Sequence, residues 1–196
     1  MPVEALDAVQ HNRSDFRCGN ERVDRYFQRL ARQAADRFAA QTYVLVPAPP
    51  RPTPCEVFGY YTFVQHAYRD SEMDPTTARA LHVKNLGTIP TILLGQLGVS
   101  SAHQGKGVGS ALLRDALRRA LHVALSIGAV AVITDPIDDA AAAFYRKYGF
   151  RPLPKQEPRL LIPTSQLARY NHDIVSAFKN RSSAIEIPYG PQNFSA

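Results

Sequence analysis

The 196-residue chain has no tryptophan and only two cysteines, Cys18 and Cys55. Two cysteines this far apart make neither a metal-ligand spacing nor a disulfide framework. They point to a reducing compartment, and neither has the sequence surroundings of a catalytic nucleophile. No His, Cys, Asp and Glu set has metal-site spacing, so no metal is expected. Long apolar runs are also missing. The longest candidate, 120–133, is interrupted by His122, Ser126 and Gly128, so no membrane span is expected. The opening MPVEALDAVQHNRSDF reads as neither a signal nor a transit peptide, and a cytoplasmic location follows as the expectation. No internal repeat stands out.

What is present is ordinary for a globular protein: 45% hydrophobic and 20% charged residues, in a length that suits one domain with a substantial core. Lysine and arginine exceed the acidic residues, giving a net charge of +6, which fits an anionic partner without requiring one.

Taken in order, Val3, Leu6 and Val9 suit a short strand or a lead-in. Asn20 is a good N-cap, and Val23, Tyr26, Phe27, Leu30, Ala31 and Ala34 recur at helical spacing, predicting an amphipathic helix over 21–39. Its other side carries Arg22, Arg25, Arg29 and Arg32, which reads either as a solvated face or as a phosphate-contacting ridge. Strands are expected at 41–46 and 55–67, joined as a hairpin across the proline-rich 47–54, with Gly59 marking a bulge. Asp74-Pro75 opens a short helix to Ala80, and 84–90 reads as a loop. The mostly apolar 91–99 predicts a strand buried on both faces. After a long helix from Val108, Gly128 supplies the stop, and 129–134 reads as a strand parallel to 91–99. A helix over 140–148 capped by Asp138 or Asp139, short strands at 150–154 and 160–163, a helix over 167–178 and a loose tail containing Pro188, Gly190 and Pro191 complete the prediction.

The stretch with most chemical content is Gln104-Gly105-Lys106-Gly107-Val108-Gly109, between a strand and a helix. Glycines at alternate positions permit positive φ and close ligand approach, successive N–H groups form an anion nest, and the following helix adds free donors. A pyrophosphate fits such a turn, with Lys106 adding charge. The same spacing also fits an ordinary glycine-rich helix entry.

That hexapeptide matches the Q/R-x-x-G-x-G/A signature of the GNAT acetyltransferases, and Phe144-Tyr145-Arg146-Lys147-Tyr148-Gly149-Phe150 resembles their second motif. The opening Phe16-Arg17-Cys18-Gly19-Asn20 with Val23-Asp24-Arg25-Tyr26-Phe27, and the segment Pro90–Val99, are similar to a GNAT subgroup that includes the toxins of toxin–antitoxin modules. In that subgroup Arg is expected at Gln96 and Ala at Gly98, so substrate contacts there depart from the pattern. The resemblance implies an α/β (α+β) fold, a mixed central β-sheet flanked by helices with a splayed acetyl-CoA-binding strand pair. Residues 1–163 would be the acetyltransferase domain and 164–196 an extension with a short helix and a loose tail.

The resemblance also implies roles. The pantetheine arm of acetyl-CoA would pair with Leu97, Gly98 and Val99, and its pyrophosphate would sit on Gln104, Gly105, Lys106, Gly107, Val108 and Gly109, with Ser110 near the helix start and Phe144 beside the cofactor. A backbone N–H within Leu97–Val99 is the candidate oxyanion donor. Tyr145 would protonate the leaving thiolate; without the motif it reads rather as a core aromatic on a small amphipathic helix, and Phe144 and Tyr148 are expected to be the more buried rings. His66, His82, His103, His122 and Glu72 are conceivable proton acceptors without a compelling partner. The implied activity is acetylation of the α-amino group of aminoacyl-tRNA, with a ribbon-helix-helix antitoxin and a homodimer as implied partners. Acetylation of a small-molecule or protein amine, or a non-catalytic coenzyme A-binding regulator, are the other readings.

Overall fold

Two long strands lie side by side at the centre of the chain. The computed structural model describes residues 1–83 and 86–182. Its strands are β1 (Val3–Ala5), β2 (Gln41–Leu45), β3 (Gly59–Arg69), β4 (Thr88–Val99), β5 (Ala131–Thr134), β6 (Arg151–Pro152) and β7 (Leu160–Pro163). They form one sheet in the order β1-β2-β3-β4-β5-β7-β6. β4 and β5 are parallel, as a crossover helix demands, and their other pairings in the sheet are antiparallel. The helical elements are α1 (Glu21–Arg25), a π-turn (Tyr26–Leu30), α2 (Ala31–Asp36), α3 (Pro75–Ala80), α4 (Val108–Ile127), α5 (Asp139–Lys147), α6 (Thr164–Tyr170) and α7 (His172–Ser182). The mixed sheet and helices are those of the α/β fold expected above.

The crossover helix α4 buries Val108, Leu112, Leu113, Ala116, Leu117, Ala120 and Leu121, one continuous stripe, against Tyr61, Phe63, Ile92 and Leu94. Gly128, at φ +83°, ends it. The opposite face of the sheet is covered by α1, the π-turn and α2, whose Val23, Phe27 and Ala31 pack on Phe16 and Tyr60. The Phe27 and Tyr60 rings stack at 4.3 Å between centroids, and the Tyr60 hydroxyl donates to the Val23 carbonyl at 2.8 Å.

Several expectations change. The continuous helix over 21–39 is interrupted by the π-turn and ends at Asp36. A π-turn widens the repeat beyond four residues, so Val23, Phe27 and Ala31 stay aligned while Leu30 rotates outward to 46% exposure. The second hairpin strand begins at Gly59 rather than at residue 55 and continues to Arg69; Cys55 instead bridges to His11. The bulge is not at Gly59. Thr62 faces Gln96 while Phe63 faces Leu94, which leaves Gly95 as the extra residue on β4. Gly59 is small for another reason: a Cβ there would sit 2.8 Å from the Gly98 carbonyl oxygen and 2.7 Å from Leu112 Cδ1. Gly98, where the toxin subgroup carries alanine, is likewise filled from outside, because a Cβ would lie 2.8 Å from Val23 Cγ1 and 3.0 Å from Tyr60 Cε1.

β4 starts at Thr88, so the loop expected over 84–90 is shorter; Lys84 and Asn85 lie outside the described residues. The helix expected over 167–178 is two helices broken at Asn171. Leu167 and Ile174 enter the same core cluster as α4, so this part of the extension packs on the domain. The tail with Pro188, Gly190 and Pro191 lies outside the described residues. No helix among the described residues is long and apolar enough to cross a membrane.

Replacing Gly59 by alanine forces a methyl against backbone, and is expected to destabilise the protein by about 1–3 kcal/mol. A fall in the denaturant midpoint at unchanged slope checks this.

Candidate active site

The bulge at Gly95 falls where β4 loses its second neighbour. β5 pairs with β4 from Thr91–Ala131 to Leu94–Thr134 and then leaves the sheet at Asp135-Pro136, whose proline cannot continue a ladder. β4 runs on to Val99 with only β3 beside it. The two parallel strands are therefore splayed, and one edge of β4 beyond Leu94 is open to an extended ligand. The burial expected for the whole of 91–99 holds at Thr91, Ile92, Leu94 and Gly98, while Leu93 is half-buried. Beyond Leu94, Gly95, Gln96, Leu97 and Val99 are only half-buried, because nothing covers that edge.

The splay is pinned at its origin. The Thr134 hydroxyl donates to the Leu94 carbonyl at 3.0 Å, both groups being buried. The Tyr145 side chain also interacts with the Thr134 hydroxyl. Asp138 caps α5 through Ala141 N–H at 2.7 Å, which sets the helix so that Ala142 and Tyr145 face inward. Tyr145 is 6% exposed and packs on Phe150, whereas Phe144 and Tyr148 are half-buried. This reverses the expected order of burial: the cap phases the short helix to put position 145, not its neighbours, at the centre of its inward face. Burial pushes the Tyr145 phenol up to about 12, so it stays protonated across the neutral range.

Between the open edge, the glycine turn and α5 lies a cleft of about 620 Å³. Leu97, Gly98, Val99, Gln104, Gly105, Gly107, Val108, Gly109, Ser110 and Phe144 all line it. Gly105 and Gly107 adopt φ of +73° and +81°, and α4 begins at Val108, so the turn presents backbone donors at a helix N-terminus. Gly109 is inside the helix and needs no special φ; an added Cβ would meet Phe144 Cζ at an ordinary 3.7 Å. Lys106 is the exception among the expected contacts. It does not line the cleft, and its ammonium donates back to the Ala102 carbonyl at 2.8 Å. Gln104 works through its side chain, which donates to the carbonyls of Cys18 (2.8 Å) and Val99 (3.1 Å) and so ties the segment before α1 to the end of β4.

Tyr145 is not on the cleft lining; its ring lies 5.4 Å from that of Phe144, which is. Sequence reasoning missed Cys18, Asn20, Val23, Ile137, Asp138, Ala140 and Ala141 as lining residues. The first two stood in the quoted Cys18-Gly19-Asn20 motif, but only the fold brings α1 over β4. Of the histidines considered as proton acceptors, His103 lines the cleft and is engaged by Glu56 at 2.9 Å. His66 sits elsewhere on the sheet, between Thr91 (3.0 Å) and Arg159 (3.4 Å), and burial with the Arg159 charge lowers its pKa. Among the described residues, no group of three His, Cys, Asp or Glu could hold a metal ion.

Residues 58–152 match the family model described as acetyltransferase (GNAT) domain. Over 172 residues the chain is 27% identical to a protein of Sinorhizobium fredii named probable toxin TacT, covering 84% of this chain and 92% of that one. Over 74 residues it is 40% identical to a tRNA-acetylating toxin of Mycobacterium tuberculosis, 38% of this chain and 45% of that protein. Among solved structures, AtaT complexed with acetyl-methionyl-tRNAfMet superposes with a TM-score of 0.75 at 23% identity, over 86% of this chain and 98% of that one. A mutant AtaT toxin bound to acetyl-CoA and the C-terminus of the antitoxin AtaR gives 0.70 at 23%, over 86% and 96%. At such identities the likeness to solved structures is one of fold.

Gln104→Ala removes both ties at the mouth of the cleft and is expected to weaken acetyl-CoA binding about tenfold. Lys106→Ala, whose ammonium faces away, is expected to change it by less than about twofold. Titration calorimetry of the two variants distinguishes them.

Proposed function

We propose that this chain, which carries a GNAT acetyltransferase domain, moves the acetyl group of acetyl-CoA onto the α-amino group of an aminoacyl-tRNA and so blocks that amino acid's use in translation. The observation that carries the reading is the splay of β4 from β5, opening directly onto the glycine turn at the start of α4 with the Tyr145 phenol held at its origin. An extended arm and a pyrophosphate together match those two features, and coenzyme A has both. The acceptor is supported by the names of the relatives: a tRNA-acetylating toxin, and AtaT in complex with an acetylated, charged tRNA.

The roles follow the geometry. Leu97, Gly98 and Val99 hold the pantetheine arm as an added strand. Gln104, Gly105, Gly107, Val108, Gly109 and Ser110 surround the pyrophosphate, and Phe144 closes the opposite wall. The amine nitrogen attacks the thioester carbonyl, and a backbone N–H of 97–99 stabilises the oxyanion. Collapse breaks the carbon–sulfur bond. Tyr145 gives its proton to the departing sulfur and is reprotonated from the new ammonium, so product amide and free coenzyme A leave with no net proton left on the enzyme. An aminoacyl ester needs no strong base, since an α-amine already has a pKa near about 7.7 and esterification lowers it. In this reading the protein works in the cytoplasm, forms a homodimer and is held in check by a ribbon-helix-helix antitoxin. The acetyltransferase domain spans 1–163 and the extension 164–196.

Intact-mass analysis of charged tRNA after incubation with protein and acetyl-CoA is expected to show one added acetyl group on the aminoacyl moiety; unmodified charged tRNA with continued cell-free translation would refute the reading. Tyr145→Phe is expected to lower kcat by about a hundredfold or more with acetyl-CoA binding intact. Because burial holds the phenol near 12, the acid form persists as pH rises. The rate is expected to climb as the amine loses its proton and then to stay level through roughly pH 10. A fall beginning at pH 8–9 would show a different acid.

A further inference from the structure

Between the open strand edge at 97–99 and the glycine turn at 104–109 the backbone passes through residues 100–103, and what holds this bridge lies far away in the chain. The Arg17 carbonyl accepts from the Ser101 N–H at 2.8 Å and from its hydroxyl at 3.1 Å. The Cys18 carbonyl accepts from the Gln104 side chain at 2.8 Å. Residues 17 and 18 belong to no strand and no helix. As a strap across the bridge they are only as firm as whatever fixes them in turn.

Two side chains fix them. Gln28 donates to the Phe16 carbonyl at 2.8 Å, and the Asp24 carboxylate accepts from the Cys18 N–H at 2.7 Å. Gly19, at φ +91°, turns the chain so that α1 begins directly after the strap and Asp24 reaches back to it. The Cys18 side chain also interacts with this carboxylate. Burial, and then Asp24 beside it, push the Cys18 thiol up to about 11, so the strap presents a neutral wall to the cleft that Cys18, Asn20 and Val23 line. Asp24 itself is only 9% exposed. A carboxylate taken out of water is costly unless a cation or hydrogen bonds compensate. Elsewhere cations do so: Arg159 grips Asp135 with two parallel hydrogen bonds of 2.6 and 2.7 Å, and Arg119 holds Asp115 at 2.7 Å. Asp24 forms no ion pair among the described residues. Its compensation comes from the strap, through a short, charge-assisted bond to the Cys18 amide.

We propose that Asp24 is a positioning residue for the donor site: it fixes the Cys18 peptide and, through the Arg17 and Cys18 carbonyls, sets the separation between the strand edge at 97–99 and the glycine turn. The inference rests on the acetyl-CoA reading above and adds a residue that acts on the donor without touching it, since Asp24 does not line the cleft. Pantetheine and pyrophosphate are parts of one molecule, so their two subsites have to stand at one fixed spacing. A shift of about 1 Å between them costs binding at both. The strap packs with Phe16, Val23 and Tyr60 on one face of the sheet, whereas Tyr145 belongs to the core under α4 on the other. Loosening the strap therefore acts on donor binding and leaves the acid where it is.

The test is titration calorimetry of the full chain with acetyl-CoA, joined to steady-state kinetics with charged tRNA. Asp24→Ala is expected to raise the Kd and KM for acetyl-CoA about tenfold and to leave kcat at saturating acetyl-CoA within about twofold. Asp24→Asn keeps an oxygen that accepts from the Cys18 amide, and is expected to return to within about threefold of the unaltered protein. Gln104→Ala cuts the same strap, so adding Asp24→Ala to it is expected to cost less than about twofold more. A merely structural role gives a different pattern: fewer folded molecules, a lower apparent kcat at unchanged Kd, and losses that multiply with those of Gln104→Ala. If Asp24→Ala does not fold, Asp24→Glu takes its place, its longer side chain displacing the Cys18 amide with the same expected rise. Unchanged acetyl-CoA affinity in the Ala or Glu variant, no recovery in Asp24→Asn, or multiplying losses would overturn the positioning role while leaving the acetyl-CoA site intact. Failure of the unaltered protein to bind acetyl-CoA would instead remove the reading on which it rests.

Discussion

The site depends on one buried hydrogen bond and the irregularity beside it. Thr134 donates to the Leu94 carbonyl at the last pair that β5 makes with β4. One residue later β4 bulges at Gly95, and β5 departs at Asp135-Pro136. A continuous parallel pair would have covered both edges of β4. Ended here, it leaves a strand edge with unpaired backbone groups facing a helix N-terminus, the combination suited to an extended, phosphate-bearing ligand. The bulge also moves Leu97 onto the same side as Leu94, so the core under α4 continues past the splay instead of breaking at it.

The same bond places the chemistry. The Thr134 hydroxyl, whose proton goes to the Leu94 carbonyl, also interacts with the Tyr145 side chain. Burial then keeps the Tyr145 phenol protonated. A tyrosine in this setting is a core side chain and a candidate acid at once, and the two descriptions do not compete. The packing that hides it, Phe144 on one side and Phe150 on the other, is also what fixes its hydroxyl at the origin of the splay. Access to a leaving sulfur is then needed only at that point.

Much of this was legible in the residues. The glycine turn, the helix beginning at Val108, the Gly128 stop, the parallel strand ending at Thr134 and the Asn20 cap each follow from local chemistry, and all stand in the structure. What was illegible depends on partners distant in the chain. The π-turn is set by what α1 must cover, not by the propensities of Tyr26–Leu30. Gly59 reads as a bulge until Gly98 and Leu112 are seen pressed against it. Tyr145 reads as less buried than its neighbours because spacing alone does not phase a short helix; the Asp138 cap does. Lys106 reads as a phosphate contact from its place in the turn, yet its side chain is turned toward Ala102. The Arg159–Asp135 pair has no local signal at all, since its members are 24 residues apart and meet only through sheet register.

In the proposed donor site acetyl-CoA lies along the open edge of β4 with its phosphates on the turn before α4. Amide hydrogen exchange with and without acetyl-CoA tests this placement most directly, because both contacts are made by backbone N–H groups. Slowed exchange is expected at 97–99 and at 105–110, with the β1–β2 edge unaffected. Protection confined to other segments, with 97–99 and 105–110 exchanging as in the free protein, would contradict it.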